Sequence, residues 1–176
     1  MGEHAMTEWD EAVVVALGSN VRGSYASLEN LLEAALEAFA AEGLNVTSRS
    51  SWWRSAAWPD PAGPEYRNGV AIVETTLDPA AVLQALHRIE GRFGRERGER
   101  NAPRTLDLDL VAYGRLVRDT DPTLPHPRAA ERRFVMGPLT EIAPAWLHPV
   151  THKTASELAA RASVGSDASP AGARDS

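Results

Sequence analysis

The chain of 176 residues contains no cysteine, which excludes both disulfides and thiolate metal sites. It has a single lysine, Lys153, against seventeen arginines, a bias that reads as base composition rather than function. It also lacks a Gly-x-x-x-x-Gly-Lys sequence, so no P-loop can cradle phosphates here. No apolar run approaches membrane-spanning length, and Val13–Leu17 is too short for the apolar region of a secretory signal. The expectation is a cytoplasmic protein with no membrane partner. A positive charge excess is missing too: the net charge of −6 argues against broad binding to nucleic acid or anionic surfaces.

What remains is ordinary globular material, with 43% hydrophobic residues and a length suited to one core. A single domain is expected over residues 11–162, with residues 1–10 and 163–176 as flexible tails, the latter small and polar.

The most informative segment is Arg104-Thr105-Leu106-Asp107-Leu108-Asp109-Leu110. Strict alternation marks a half-buried strand with Leu106, Leu108 and Leu110 on one face. Asp107 and Asp109 then share the other face, their Cα atoms about 6.5–7 Å apart. Two parallel carboxylates repel and call for a cation, and a hard ion such as Mg²⁺ suits them. Just upstream lie Arg88, Arg92, Arg95, Arg97, Arg100 and Arg104, so segment 88–104 carries six positive side chains against Glu90, Glu96 and Glu99. The Asp pair alone also fits a solvated strand face, and the arginines alone a salted helix end. Together they point to a polyphosphate site, because metal and guanidinium both neutralise phosphate oxygens.

The remaining chain reads as strands and helices in alternation. Residues Glu11–Gly18 form a buried strand ending in Gly18-Ser19-Asn20. Leu28, Leu31, Leu32, Ala35, Leu36 and Phe39 lie at helical spacing, with Gly43 as the stop. Asn45–Trp53 reads as a second strand, Arg54–Tyr66 as a Pro- and Gly-rich loop, and Arg67–Thr76 as a third strand. Asp78-Pro79 starts a helix that runs to Phe93. A polar loop, Arg95–Pro103, then leads into the Asp-x-Asp strand, Thr105–Tyr113. This order, β-α-β-β-α-β, predicts an α+β, ferredoxin-like core with a mainly antiparallel sheet. Short helices follow near Ala129–Met136 and Pro138–Ile142, and Thr154-x-x-Glu157 opens a last one with a capping box.

Several motifs recur together: Ala16-Leu17-Gly18-Ser19-Asn20, Tyr66-x-Asn68, Gly94-Arg95-x-Arg97, Pro103-Arg104-x-x-Asp107-x-Asp109, Leu124-Pro125-His126-Pro127 and Arg132-x-Phe134. In this order, from about Val13 to Val150, the chain resembles the 6-hydroxymethyl-7,8-dihydropterin pyrophosphokinases of folate biosynthesis. The resemblance implies transfer of a pyrophosphoryl group from ATP to the pterin's hydroxymethyl group, releasing AMP. It implies two Mg²⁺ ions held by Asp107 and Asp109, with Arg95 and Arg97 sharing the catalytic work. It places His87, Glu90, Arg95, Arg97, Arg104, Leu110, Thr123, His126 and Arg132 on ATP. For the pterin it implies Tyr66 and Phe134 as stacking faces and Asn68 as the edge reader, with Ser55 and Trp58 on the flanking loop. Small-molecule substrates, no nucleic acid and a monomer are expected. Asn101 stands where many members carry an aromatic.

Two other readings stay open: a metal-dependent phosphodiesterase using Asp-x-Asp, and a ferredoxin-like nucleic-acid-binding module. The first needs further clustered ligands; the second needs exposed strand aromatics and a basic surface. A degenerate, non-catalytic relative would be expected to have lost metal or phosphate residues, and these are retained.

Overall fold

The computed structural model of the chain describes residues 9–56, 63–93 and 106–174. Its centre is strand β1 (Val13–Ser19), whose run Val-Val-Val-Ala-Leu is buried on both faces of the sheet. Helix α1 (Leu28–Glu37) follows, capped by Ser27, whose hydroxyl accepts the Asn30 N–H at 3.0 Å. Strands β2 (Asn45–Arg49), β3 (Trp53–Ser55) and β4 (Tyr66–Glu74) come next. Helix α2 (Pro79–Arg92) starts on Asp78, whose Oδ1 accepts from Ala81 N–H at 2.8 Å, with Pro79 in the first turn. Strand β5 (Asp107–Tyr113), helix α3 (Arg133–Ile142), helix α4 (Ala155–Arg161) and strand β6 (Ser169–Pro170) complete the order.

The sheet runs β5-β1-β4-β3-β6, with β2 beside β3 on β4, and every strand pair is antiparallel. Counting β2 and β3 as one interrupted edge, this is the ferredoxin-like arrangement expected from the β-α-β-β-α-β order. Two cores lie on opposite faces. One packs Leu32 of α1, Phe39 just beyond it, and Leu86 and Ile89 of α2 against Val13, Val15, Leu17, Leu108 and Leu110. The other packs α3 and α4 residues such as Met136, Leu139 and Leu158 against Val14, Ala16, Val70, Ile72 and Val111. A strand covered on both faces has no polar side to spare, which is why β1 reads as an unbroken apolar run.

Five features differ from the sequence reading. The second strand is two, because the edge carries one extra residue between the Arg49–Ala71 and Trp53–Asn68 pairs. Ser50 takes up the irregularity, donating its N–H to Val70 O and accepting the Val70 N–H on its hydroxyl. The following loop is shorter than expected, since Arg54, Ser55 and Tyr66 are strand residues. Pro138 does not divide the chain into two helices: α3 runs through it, after a 3₁₀ turn at Ala129–Glu131. The residue ahead of a proline normally clashes through its Cβ, and Gly137 has none. A Cβ there would also lie 2.5 Å from the Trp53 ring, so the glycine lets α3 settle onto β3.

The expected C-terminal tail is the fourth difference. Residues 163–174 are built into the fold: Val164 exchanges backbone hydrogen bonds with Glu131 and Arg133, β6 pairs with β3, and Ala168 is buried. At the other end, Trp9 packs against the second core and Asp10 is buried, so the expected first tail is also shorter than its ten residues. Small polar composition describes side chains, whereas these contacts are made mainly by backbone.

Candidate active site

The alternation in β5 holds. Leu106, Leu108 and Leu110 are buried in the first core, and Asp107 and Asp109 face the other side, half-buried in a cleft of about 780 Å³. Two carboxylates about 7 Å apart repel by roughly 0.6–2.4 kcal/mol for effective dielectric constants of about 80 to 20. Each buried leucine contributes about 1.5–3 kcal/mol, and slipping the register by one residue would turn all three outward. Leucine burial therefore wins and holds the acidic pair in the cleft. Beyond Asp109 the pairing with β1 shifts register, so that Val111 and Ala112 both enter the second core. The Val111 carbonyl accepts the His126 N–H at 2.8 Å, which anchors the loop carrying His126 beside the strand.

Strand pairing sets out the rest of the floor. Gly18 lies opposite Asp107 on one side and Asn68 on the other, and Asn68 lies opposite Trp53. A Cβ on Gly18 would approach Asn68 Oδ1 to 3.1 Å, so the missing side chain leaves the amide room. Asn68 is buried, and its Nδ2 donates to Ser55 Oγ at 2.9 Å. That bond directs Nδ2 to the serine. Tyr66 opens β4 at one wall and Phe134, in the first turn of α3, stands at another. The Arg132 guanidinium lies over the Phe134 ring, 5.8 Å from its centroid.

Of the residues singled out from sequence, the cleft brings together Ser55, Tyr66, Asn68, Asp107, Asp109, Arg132 and Phe134. His126 lies close by. Burial pushes its imidazole below the ordinary histidine range, Asp109 opposes this, and the Arg132 and Arg128 cations reinforce it. Its Nδ1 accepts the Arg128 N–H at 3.2 Å, so in the neutral ring the proton belongs on Nε2. Arg95, Arg97, Arg104 and Trp58 lie outside the described residues.

Others sit elsewhere. Leu110 is core, while His87 and Thr123 are exposed and are not among the described residues lining the cleft. Glu90 is buried beneath the floor, its Oε2 accepting the Leu108 N–H at 2.8 Å, and so braces the strand between the two aspartates. Arg88 leaves the expected polyphosphate cluster, because it pairs with Glu42 at 2.8 Å. The cleft also has walls that sequence reasoning missed: Arg128, Glu131 and the stretch Val164–Asp167. Arg128 was within reach, two residues after His126; the distant stretch carries no motif.

The donor set fits a hard cation. Among the described residues no group of three or more Asp, Glu, His or Cys side chains could hold a metal by itself. Mg²⁺ commonly takes one or two carboxylates and completes its shell with water and phosphate oxygens, so a two-aspartate face suffices when a polyphosphate supplies the rest.

Fold and cleft thus define a ferredoxin-like α+β protein with an acidic pair and an aromatic-walled amide site on one sheet face. A model of the family described as 7,8-dihydro-6-hydroxymethylpterin-pyrophosphokinase (HPPK) matches residues 14–144, and the chain belongs to that family. It is 44% identical over 146 residues to the 2-amino-4-hydroxy-6-hydroxymethyldihydropteridine pyrophosphokinase of Synechocystis, covering 82% of this chain and 73% of that one. It is 40% identical over 134 residues to the mitochondrial folate synthesis bifunctional protein of Pisum sativum, covering 76% of this chain but 25% of that protein. The crystal structure of wild-type HPPK-DHPS from Plasmodium falciparum superposes with a TM-score of 0.65 at 12% identity, over 85% of this chain and 44% of that one. The chain therefore spans less than half the length of that two-part protein.

Proposed function

We propose that this protein transfers the pyrophosphoryl group of ATP to the hydroxymethyl oxygen of 6-hydroxymethyl-7,8-dihydropterin, giving the pterin diphosphate and AMP on the route to tetrahydrofolate. The observation that supports the reading is the single row Asp107–Gly18–Asn68, which puts an aspartate and a buried amide on one floor. In the reaction the substrate oxygen bonds to the β-phosphorus as the bridge to the α-phosphate breaks, and AMP leaves with that bridging oxygen.

Each residue has a physical task. Tyr66 and Phe134 offer aromatic faces to a flat heterocycle. Asn68, fixed by Ser55, presents donor and acceptor to its edge. Arg132, together with Arg95, Arg97 and Arg104, neutralises phosphate oxygens, bidentately where geometry allows. Asp107 and Asp109 would hold Mg²⁺, two ions in this reading, whose chemistry when bound is to withdraw charge from the polyphosphate. The remaining contribution is alignment of the attacking oxygen with the bond that breaks.

We read the protein as acting on small molecules, as a monomer in the cytoplasm. Among the described residues no helix is long and apolar enough to cross a membrane. Neither the phosphodiesterase nor the nucleic-acid reading gains an observation from fold or site. The test is incubation with ATP, Mg²⁺ and the hydroxymethyl pterin, following AMP and pterin diphosphate by chromatography. One-to-one formation of the two products is expected, and AMP release that ignores the pterin would refute the reading.

A further inference from the structure

The stretch Val164–Asp167 lines the cleft although it lies twenty residues beyond the end of the family match at residue 144. It is fastened at both ends. Helix α3 has no side-chain cap, and its first N–H, from Arg133, donates instead to Val164 O at 2.9 Å. Val164 N–H donates to Glu131 O at 2.9 Å. A turn follows, closed by Ala168 N–H to Gly165 O at 2.9 Å, and Arg133 Nε donates to Ala168 O at 3.0 Å. Strand β6 then joins β3, opposite Trp53 and Arg54.

Two contacts point from this strap into the cleft. Gly165 has φ +71°, a conformation glycine adopts without strain, and a Cβ there would stand 2.6 Å from Phe134 Cδ2. The Phe134 ring thus rests against bare backbone. Asp167 Oδ2 accepts the Ala56 N–H at 2.7 Å and ties the strap to the residue after Ser55, which lines the cleft as the ring does.

We infer that the strap 164–168 is a specificity-determining element of this cleft: Gly165 sets the position of the Phe134 ring, and Asp167 sets its spacing from the Ser55–Asn68 wall. Gly165 and Asp167 are positioning residues, acting through Phe134 and Ala56. The inference rests on the proposed function, since it names the wall that places the stacking ring relative to the edge-reading amide.

The test is calorimetric titration with the hydroxymethyl pterin in the presence of Mg²⁺ and a saturating non-hydrolysable ATP analogue. Gly165→Ala should raise the pterin Kd at least tenfold and change analogue affinity, measured without pterin, by less than twofold. In a Phe134→Ala background, where no ring remains to displace, the same substitution should change the pterin Kd by less than threefold. Should Gly165→Ala not fold, Asp167→Ala supplies the test at an exposed position. It should raise the pterin Kd severalfold, and Asp167→Asn, which keeps an acceptor for Ala56, should restore it. Equal losses for both ligands, an undiminished Gly165 effect without the ring, or unchanged pterin binding in the strap variants would each overturn the inference. Wild-type protein that binds no pterin would sink the proposed function and this inference together, whereas wild-type binding with indifferent variants sinks the inference alone.

Discussion

Asp107 and Asn68 stand in one cross-strand row on opposite sides of Gly18. Two strand spacings separate their backbones, about 9–10 Å, with no side chain between them. The acidic and amide ends of the cleft are thereby held at a fixed span by the sheet's own hydrogen bonds rather than by loops.

Replacing Asp107 or Asp109 by Asn should remove charge from the face that meets polyphosphate. Turnover at saturating Mg²⁺ is expected to fall more than tenfold, above about 1.4 kcal/mol in the barrier. For Asp109→Asn thermal stability should stay level or rise, since carboxylate repulsion is relieved. Steady-state rates beside melting curves check both halves, and a variant retaining most of its rate would remove the aspartate from the reaction.

Asn68→Ala should weaken pterin binding by about 1–3 kcal/mol, because a buried polar edge loses its partner. Gly18→Ala should act in the same direction but more mildly, about threefold to tenfold in Kd or roughly 0.6–1.4 kcal/mol, by pressing on Asn68 Oδ1. Nucleotide affinity should hold in both. Titration with each ligand separately decides; parallel losses would make Asn68 a residue of the fold.

Glu90 gives a different contrast. Glu90→Ala leaves the buried Leu108 N–H without its carboxylate and should cost about 1–3 kcal/mol of stability. Glu90→Gln keeps an acceptor and should recover most of that stability together with nucleotide affinity. Denaturant melts and nucleotide titration of the pair check this; normal stability with lost ATP affinity in the Gln variant would make Glu90 a direct nucleotide contact.

Stability should also depend on the histidines. Burial pushes His126 and His148 below the ordinary value near 6.5, helped at His148 by His152. A lowered folded pKa means the unfolded chain takes up protons first, so this stability is complete above about 6.5 and is lost as pH falls through the lowered values, at most about 1.4 kcal/mol per pH unit for each group. His148 Nδ1 accepts the Val150 and Thr151 N–H groups, each at 3.2 Å. His148→Asn offers an uncharged acceptor in its place, so melting temperature measured across pH 5 to 7 should rise less steeply than in wild type.

The elements governed by side-chain periodicity were legible in the sequence. Leucine alternation placed the Asp pair, and Asp78-Pro79 and Thr154-x-x-Glu157 placed two helix starts. Features governed by backbone were not. The extra residue near Ser50 follows from the register along β4, and the strap at 164–168 is held by the first N–H of α3, which no side chain caps; neither has a side-chain pattern. Glu90 lies between. Counted as charge it joined the arginines, yet it sits four residues after Leu86, on the helix's apolar stripe, and that spacing already pointed it inward.

The doubly covered strand β1 has a consequence for how the chain is made. Among the described strands it is synthesised first, and its partners are β4 and β5, the latter arriving only after both intervening helices. Contacts so distant along the chain slow folding, because loop closure must precede any reward. During synthesis Val13–Leu17 stays an unpaired apolar ribbon with two open edges, a substrate for chaperones and for self-association. Of the six described strands, the first to be synthesised is among the last to be finished.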